Sequence, residues 1–235
     1  MNLPAEPAAT LASPMRGLYG ITPEWDDTAR LVAAVEAAAR GGLRAVQLRR
    51  KEAGAAKRLE QARALRTACD RLGVVLIVND DWRLALDAGA DGVHLGRDDG
   101  DIAQARRAGG PALLIGASCY NEPERARAAL AAGADHVAFG AVFDSPTKPA
   151  AVRAPLSCLA EARRLRLPGD GQPIRPAIVA IGGITPANAR QAVAAGADAL
   201  AVITALFGAA DIEAAARAFG QAWTEDPGGN ATSKA

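Results

Sequence analysis

One phrase recurs along this chain. It reads AGADGVHLG at 88–96, AGADHVAFG at 132–140 and AGADALAVI at 195–203, with a looser copy, GLRAVQLR, at 42–49. Each copy is a helix end, a glycine turn, an Asp or Arg, and a short apolar strand. A repeated helix-to-strand hinge implies a chain of βα units, so the residues that follow each strand should face one common site. The unusual polar residues of the chain lie in those positions.

Strands are expected at 18–21, 45–48, 74–78, 92–95, 113–116, 136–139, 178–181 and 200–203. Each is short and rich in Val, Ile or Leu, as parallel strands buried on both faces are. Helical spacing of apolar residues runs over 27–40, ending at Gly41-Gly42, and over 57–71, ending at Gly73. Thr185-Pro186 and Asn121-x-Pro123 each set a capping residue before a proline in a first turn. The predicted fold is α/β, a (β/α)8 TIM barrel. Gly42, Gly89 and Gly133 are 47 and 44 residues apart, about two βα units each, and the 63 residues to Gly196 leave room for longer loops. An open doubly wound sheet is disfavoured, because no GxGxxG turn occurs anywhere.

The 235 residues suit one barrel-sized domain, expected at 16–222 between loose tails at 1–15 and 223–235. Aromatic residues make up 4% and net charge is +1, which argues against nucleic-acid partners and gives no electrostatic case for membranes. Apolar runs are too short for a transmembrane helix and the N-terminus does not read as a signal peptide, so the expected location is the cytoplasm. Cys69, Cys119 and Cys158 are odd in number and form no CxxC, and they read as buried, inert thiols. A homo-oligomer is compatible with the sequence.

Barrel enzymes work at the C-terminal ends of their strands. Strand two ends Gln47-Leu48-Arg49-Arg50-Lys51, where alternation puts Gln47 and Arg49 on one side. Its cationic residues can fork onto phosphate oxygens or form a solvated loop. Strand three ends Asn79-Asp80-Asp81, and strand four is followed by Arg97-Asp98-Asp99. Acidic ends on neighbouring strands can converge on Mg²⁺, which takes one or two carboxylates and leaves its other positions to phosphate and water. Asp80 is preferred over Asp81, which is placed to begin the next helix. Ser118 follows strand five. Strand six runs into a long loop with Ser145, Pro146, Thr147 and Lys148, a hydroxyl-and-ammonium anion pocket. Gly182-Gly183 before a helix, with Ile203-Thr204 after strand eight, occupies the usual phosphate site of barrels. His94 and His136 lie on strands and read as buried structural histidines. With no nucleophile–base dyad apparent, the pattern fits departure of a metal-bound phosphate or diphosphate through charge stabilisation.

QLRRK, VND, GADGVHLG with an acidic pair, GAS, FGAVFDSPTK, AIGGIT and AVITAL occur in this order, and through them the chain resembles the thiamine phosphate synthase family. The resemblance covers about residues 17–219. It implies a transferase: an aminopyrimidine methyl diphosphate loses diphosphate, and the nitrogen of a thiazole phosphate, plain or carboxylated, attacks the resulting methylene. The products are thiamine phosphate and diphosphate, with CO₂ from the carboxylated thiazole. By motif, Gln47, Arg49, Lys51, Asn79, Ser118 and Lys148 would hold the pyrimidine diphosphate, with Lys51, Lys148 and Arg49 catalytic. Asp80 and Asp99 would bind Mg²⁺. Ser145, Pro146, Thr147, Gly183, Ile203 and Thr204 would hold the thiazole phosphate.

The chain departs from the family pattern in places. Arg50 stands where an acidic residue is frequent, Asp144 where Pro is common, and Thr204 where Ser is common. Cys119-Tyr120 replaces a His-containing segment. A thiazole tautomerase of the same fold is the nearest alternative and is thought to use a His there. A non-catalytic phosphate-binding barrel is the other.

Overall fold

The computed structural model describes residues 15–144, 152–165 and 175–224. Eight strands, β1 (Gly17–Ile21), β2 (Leu43–Leu48), β3 (Val75–Asn79), β4 (Gly92–Leu95), β5 (Leu114–Tyr120), β6 (His136–Phe139), β7 (Ala177–Ile181) and β8 (Ala199–Val202), pair in sequence order and all in parallel. The last pairs with the first, closing the barrel. Between and after the strands lie α1 (Thr28–Arg40), α2 (Ala55–Leu72), α3 (Trp82–Ala88), α4 (Ile102–Gly109), α5 (Pro123–Ala131), α6 (Ser157–Ala162), α7 (Pro186–Ala194), α8 (Thr204–Phe207) and α9 (Ile212–Gly220). The expected (β/α)8 architecture is the one observed.

Two apolar layers hold it together. Met15, Tyr19, Ile21, Ala45, Ile77, Ala138, Ala177, Val179, Ala199 and Ala201 fill the barrel interior. The alternate strand residues, such as Leu18, Val46, Leu76, Val93, Ile115 and Leu200, pack outward against the helices. The many inward alanines leave room in the interior for larger polar side chains higher up. A turn of 3₁₀ helix at Gln221–Trp223 follows α9, and Trp223 packs on the outer layer.

The repeated Asp has a structural job at the opposite end from the strand termini that carry chemistry. Asp91 Oδ2 accepts from Leu76 N (2.7 Å), Asp135 Oδ2 from Ile115 N (2.7 Å), and Asp198 Oδ2 from Ile178 N (3.0 Å). Each carboxylate thus ties the start of its own strand to the start of the preceding one. Each is met by an arginine: Arg66 on Asp91 (2.5 Å), Arg106 on Asp135 (2.6 Å) and Arg175 on Asp198 (2.7 Å). The repeat glycines turn the chain just before them, with φ of 66° at Gly89, 106° at Gly133 and 120° at Gly196, a region L-residues avoid.

Two details differ from the expectations, while the expected Thr185 cap of α7 is observed. The fifth strand continues to Tyr120, with a register shift between Ser118 and Tyr120 in its pairing with β6. Such an irregularity re-aims the side chains beside it. Asn121 does not cap α5: Glu122 is the N-cap residue and no side-chain cap bond is made there. At α7 the partner of the cap is Asn188, whose Oδ1 accepts from Thr185 N (2.8 Å). All three cysteines are free and buried, and burial pushes Cys69 and Cys119 up to about 12. Among the described residues no helix is long and apolar enough to cross a membrane.

Candidate active site

The mouth of the barrel is organised by Glu24, in the loop after β1. Its Oε1 accepts from Arg49 Nη1 (3.3 Å) and from Lys51 N (2.8 Å), and its Oε2 from Arg50 Nη1 (3.1 Å). Arg50 is buried, at 6% exposure, and also pairs with Asp26 (2.5 Å). Its charge is therefore balanced within the loops after β1 and β2. Arg49, half-buried, is also fixed through its backbone N to Thr22 Oγ1 (3.0 Å). Lys51 is exposed and extends to Asp80 Oδ2 (3.1 Å). Sequence reasoning missed Glu24, since only a folded β1 loop brings it beside residues 25 to 27 positions later.

Gln47 points inward and is buried, with its Nε2 donating to Tyr19 Oη (2.8 Å). Tyr19 fills the barrel beneath it, and burial raises its pKa. Its inward position on β1 was readable, but nothing in the sequence tied it to Gln47.

Two acidic strand ends meet here. Asp80 follows β3 in the left-handed region (φ 65°), held by Asp80 N donating to His94 O (2.8 Å). That conformation is unfavourable for a residue with a Cβ, and such departures gather at functional sites. Asp81 instead starts α3, accepting from Leu84 N (3.0 Å). Asp99 folds back over β4, its Oδ2 accepting from Gly96 N (3.0 Å). Gly96 leaves room for this, as a Cβ there would lie 2.4 Å from Asp99 Oδ2. The Asp80 and Asp99 carboxyls lie close enough to perturb each other. Burial first, then Asp80's hydrogen bond and charge, raise the Asp99 pKa above the ordinary carboxylate value, with Gly96 N and Lys51 opposing. Two carboxyls pressed together with one ammonium beside them fit a divalent cation. Among the described residues no group of three or more His, Cys, Asp or Glu converges on such a point, so the rest of a metal's shell would come from substrate and water.

Asn79 ends β3 directly opposite His94 in register. Ser118 on β5 contacts His94 Nε2 through its Oγ (3.0 Å). Tyr120, in the place of the tautomerase's expected histidine, is flanked by the Arg97 and Arg125 guanidinium groups, 5.1 and 5.8 Å from its ring centre.

The loop after β6 is tied to β7. Val142 N donates to Ile181 O (2.9 Å) and Phe143 N to Gly182 O (3.1 Å). Gly182 and Gly183 permit that close approach, because a Cβ on Gly183 would sit 2.3 Å from Asp144 O and one on Gly182 2.5 Å from Ala141 Cβ. Both have positive φ. Ala141 also pairs with the returning chain, through Ala141 N to Val152 O and Ala154 N to Ala141 O (both 2.9 Å). The expected Ser145, Pro146, Thr147 and Lys148 lie outside the described residues. Ile203 is half-buried and Thr204, exposed, begins α8, with Ile203 packed against the barrel-interior layer.

The family model for thiamine monophosphate synthase matches residues 18–206. The chain is 64% identical to the thiamine-phosphate synthase of Bordetella bronchiseptica over 211 residues, 90% of this chain and 96% of that one. It is 53% identical to the thiamine-phosphate synthase of Thiobacillus denitrificans over 212 residues, with the same two shares. Among solved structures, a thiamine phosphate pyrophosphorylase from Pyrococcus furiosus superposes with a TM-score of 0.75 at 33% identity, covering 90% of this chain and 96% of its own. A 3-hexulose-6-phosphate synthase, at 21% identity and TM-score 0.64, shares the fold. The chain belongs to the thiamine monophosphate synthase family.

Proposed function

We propose that this barrel condenses an aminopyrimidine methyl diphosphate with a hydroxyethylthiazole phosphate, releasing thiamine phosphate and diphosphate. The observation that carries the reading is the contact between Asp80 and Asp99 with Lys51 Nζ 3.1 Å from Asp80. It suits a leaving group that brings several negative oxygens and a divalent cation.

Asp80 and Asp99 would hold Mg²⁺. When bound, the ion supplies charge neutralisation of the departing diphosphate. Lys51 and Arg49 donate to its oxygens, Arg49 already aimed by Glu24 and Thr22. Gln47 and Asn79 line the interior beneath, where the pyrimidine would lie, and Ser118 and Lys148 complete the diphosphate contacts. Ser145, Pro146, Thr147, Gly183, Ile203 and Thr204 would hold the thiazole phosphate at the β6–β8 side. Diphosphate leaves with the bonding pair, the pyrimidine ring delocalises the positive methylene, and the thiazole nitrogen attacks it.

No protein nucleophile is needed for that course. The Cys69 and Cys119 thiols are pushed up to about 12 by burial, and burial lowers His94 to about 4. Catalysis then rests on positioning and charge.

Replacing Asp80 tests this. Asp80→Ala should lower turnover by roughly 10²–10³-fold, the scale of removing one charge-stabilising group, with an unchanged melting temperature. Full turnover in a folded Asp80→Ala protein would remove the two-carboxylate centre from the reaction.

A further inference from the structure

The chain has two histidines, and they meet inside the barrel. His94 on β4 and His136 on β6 flank Gly116 on β5, to which each is paired in register. Only a glycine fits between them. A Cβ at Gly116 would lie 2.0 Å from His136 Nε2 and 2.5 Å from His94 Nδ1. His94 Nδ1 is 3.4 Å from His136 Nε2, and His94 Nε2 is 3.0 Å from Ser118 Oγ. The three side chains form a file from the deep interior to the mouth. His136 is fully buried and His94 nearly so.

Both rings are neutral near pH 7. Burial lowers His94 to about 4, while burial and then the neighbouring His94 lower His136 to about 3. A neutral imidazole has one donor nitrogen and one acceptor. Among the described residues His136 Nδ1 is buried without a hydrogen-bond partner. A proton there would be an orphaned buried donor, which is rarer in proteins than an under-used acceptor. The His136 proton therefore sits on Nε2 and is donated to His94 Nδ1. His94 must then carry its own proton on Nε2 and donate it to Ser118 Oγ. With that lone pair engaged, the Ser118 hydroxyl turns its own proton toward the mouth. In the opposite tautomer Ser118 would donate inward and present only lone pairs to an incoming anion.

We infer that His136 is a positioning residue for the diphosphate subsite: acting through His94, it fixes Ser118 as an outward hydrogen-bond donor. This rests on the reading above that Ser118 faces the diphosphate.

Two measurements on the full chain test it. The first is a nitrogen-15 correlation spectrum of untagged protein labelled in the histidine rings, recorded at pH 7 without substrate. Both rings should be in the Nε2–H form, and His94 in the Nδ1–H form would overturn the relay. The second is calorimetric affinity for inorganic diphosphate with Mg²⁺. His136→Phe, which cannot donate, should weaken it about tenfold, the loss of one hydrogen bond to a charged group. His136→Gln, which keeps an N–H, should restore most of it. Unchanged affinity in a folded His136→Phe protein would contradict the proposal. Neither readout uses turnover, so absence of product with both results intact would count against the assigned reaction and not against the relay.

Discussion

Arg50 shows how a side chain's partners decide its meaning. In the sequence it is one of three consecutive cations, and all three invite an anion. In the fold it is buried and spent on Glu24 and Asp26, while Arg49 and Lys51 stay at the mouth. Removing Glu24 leaves Arg50 with a single, largely exposed carboxylate partner. Breaking a buried ion pair from one side is costly, so Glu24→Ala should destabilise the protein by about 3 kcal/mol in denaturant unfolding. An unchanged midpoint would show that Asp26 alone satisfies Arg50. Asp80 and Asp81 were separable from sequence because a residue that begins a helix has a recognisable place. Glu24 and Tyr19 were not, because their partners lie 25 to 28 positions away and no local pattern links them.

At the scale of elements, strand periodicity and glycine turns were legible. The β4 and β6 segments run over the expected residues, and most others differ by one or two at an end. The fifth strand ends four residues later than expected, since β6 continues to pair with it through the register shift near Tyr120. The end of a strand depends on its neighbour, which local sequence does not contain. The repeat Asp was visible, but its use was not: it closes strand starts at the floor, away from the chemistry. Asp135→Ala removes the acceptor for Ile115 N and the partner of Arg106. It should cost about 2–3 kcal/mol of stability and leave kcat unchanged. A marked fall in kcat with little loss of stability would contradict a purely structural role for the repeat Asp.

At the scale of the whole molecule, the barrel divides its labour between its two ends. Asp91, Asp135 and Asp198, with their arginines, clamp the N-terminal rim. The interior layer of Tyr19, Gln47 and the two histidines rises from alanine-rich packing to polar side chains. The C-terminal rim gathers Arg49, Lys51, Asp80 and Asp99 from loops that follow three different strands. Such convergence is what a closed parallel barrel supplies, and the family membership is consistent with it. The central claim is that this rim releases diphosphate and joins two rings. Its most direct test is to supply purified protein with the pyrimidine diphosphate, the thiazole phosphate and Mg²⁺, and to quantify thiamine phosphate and diphosphate together. Equal amounts of both should appear, and chelation by EDTA should abolish them. No product from folded protein, or thiamine phosphate formed without matching diphosphate, would contradict the account.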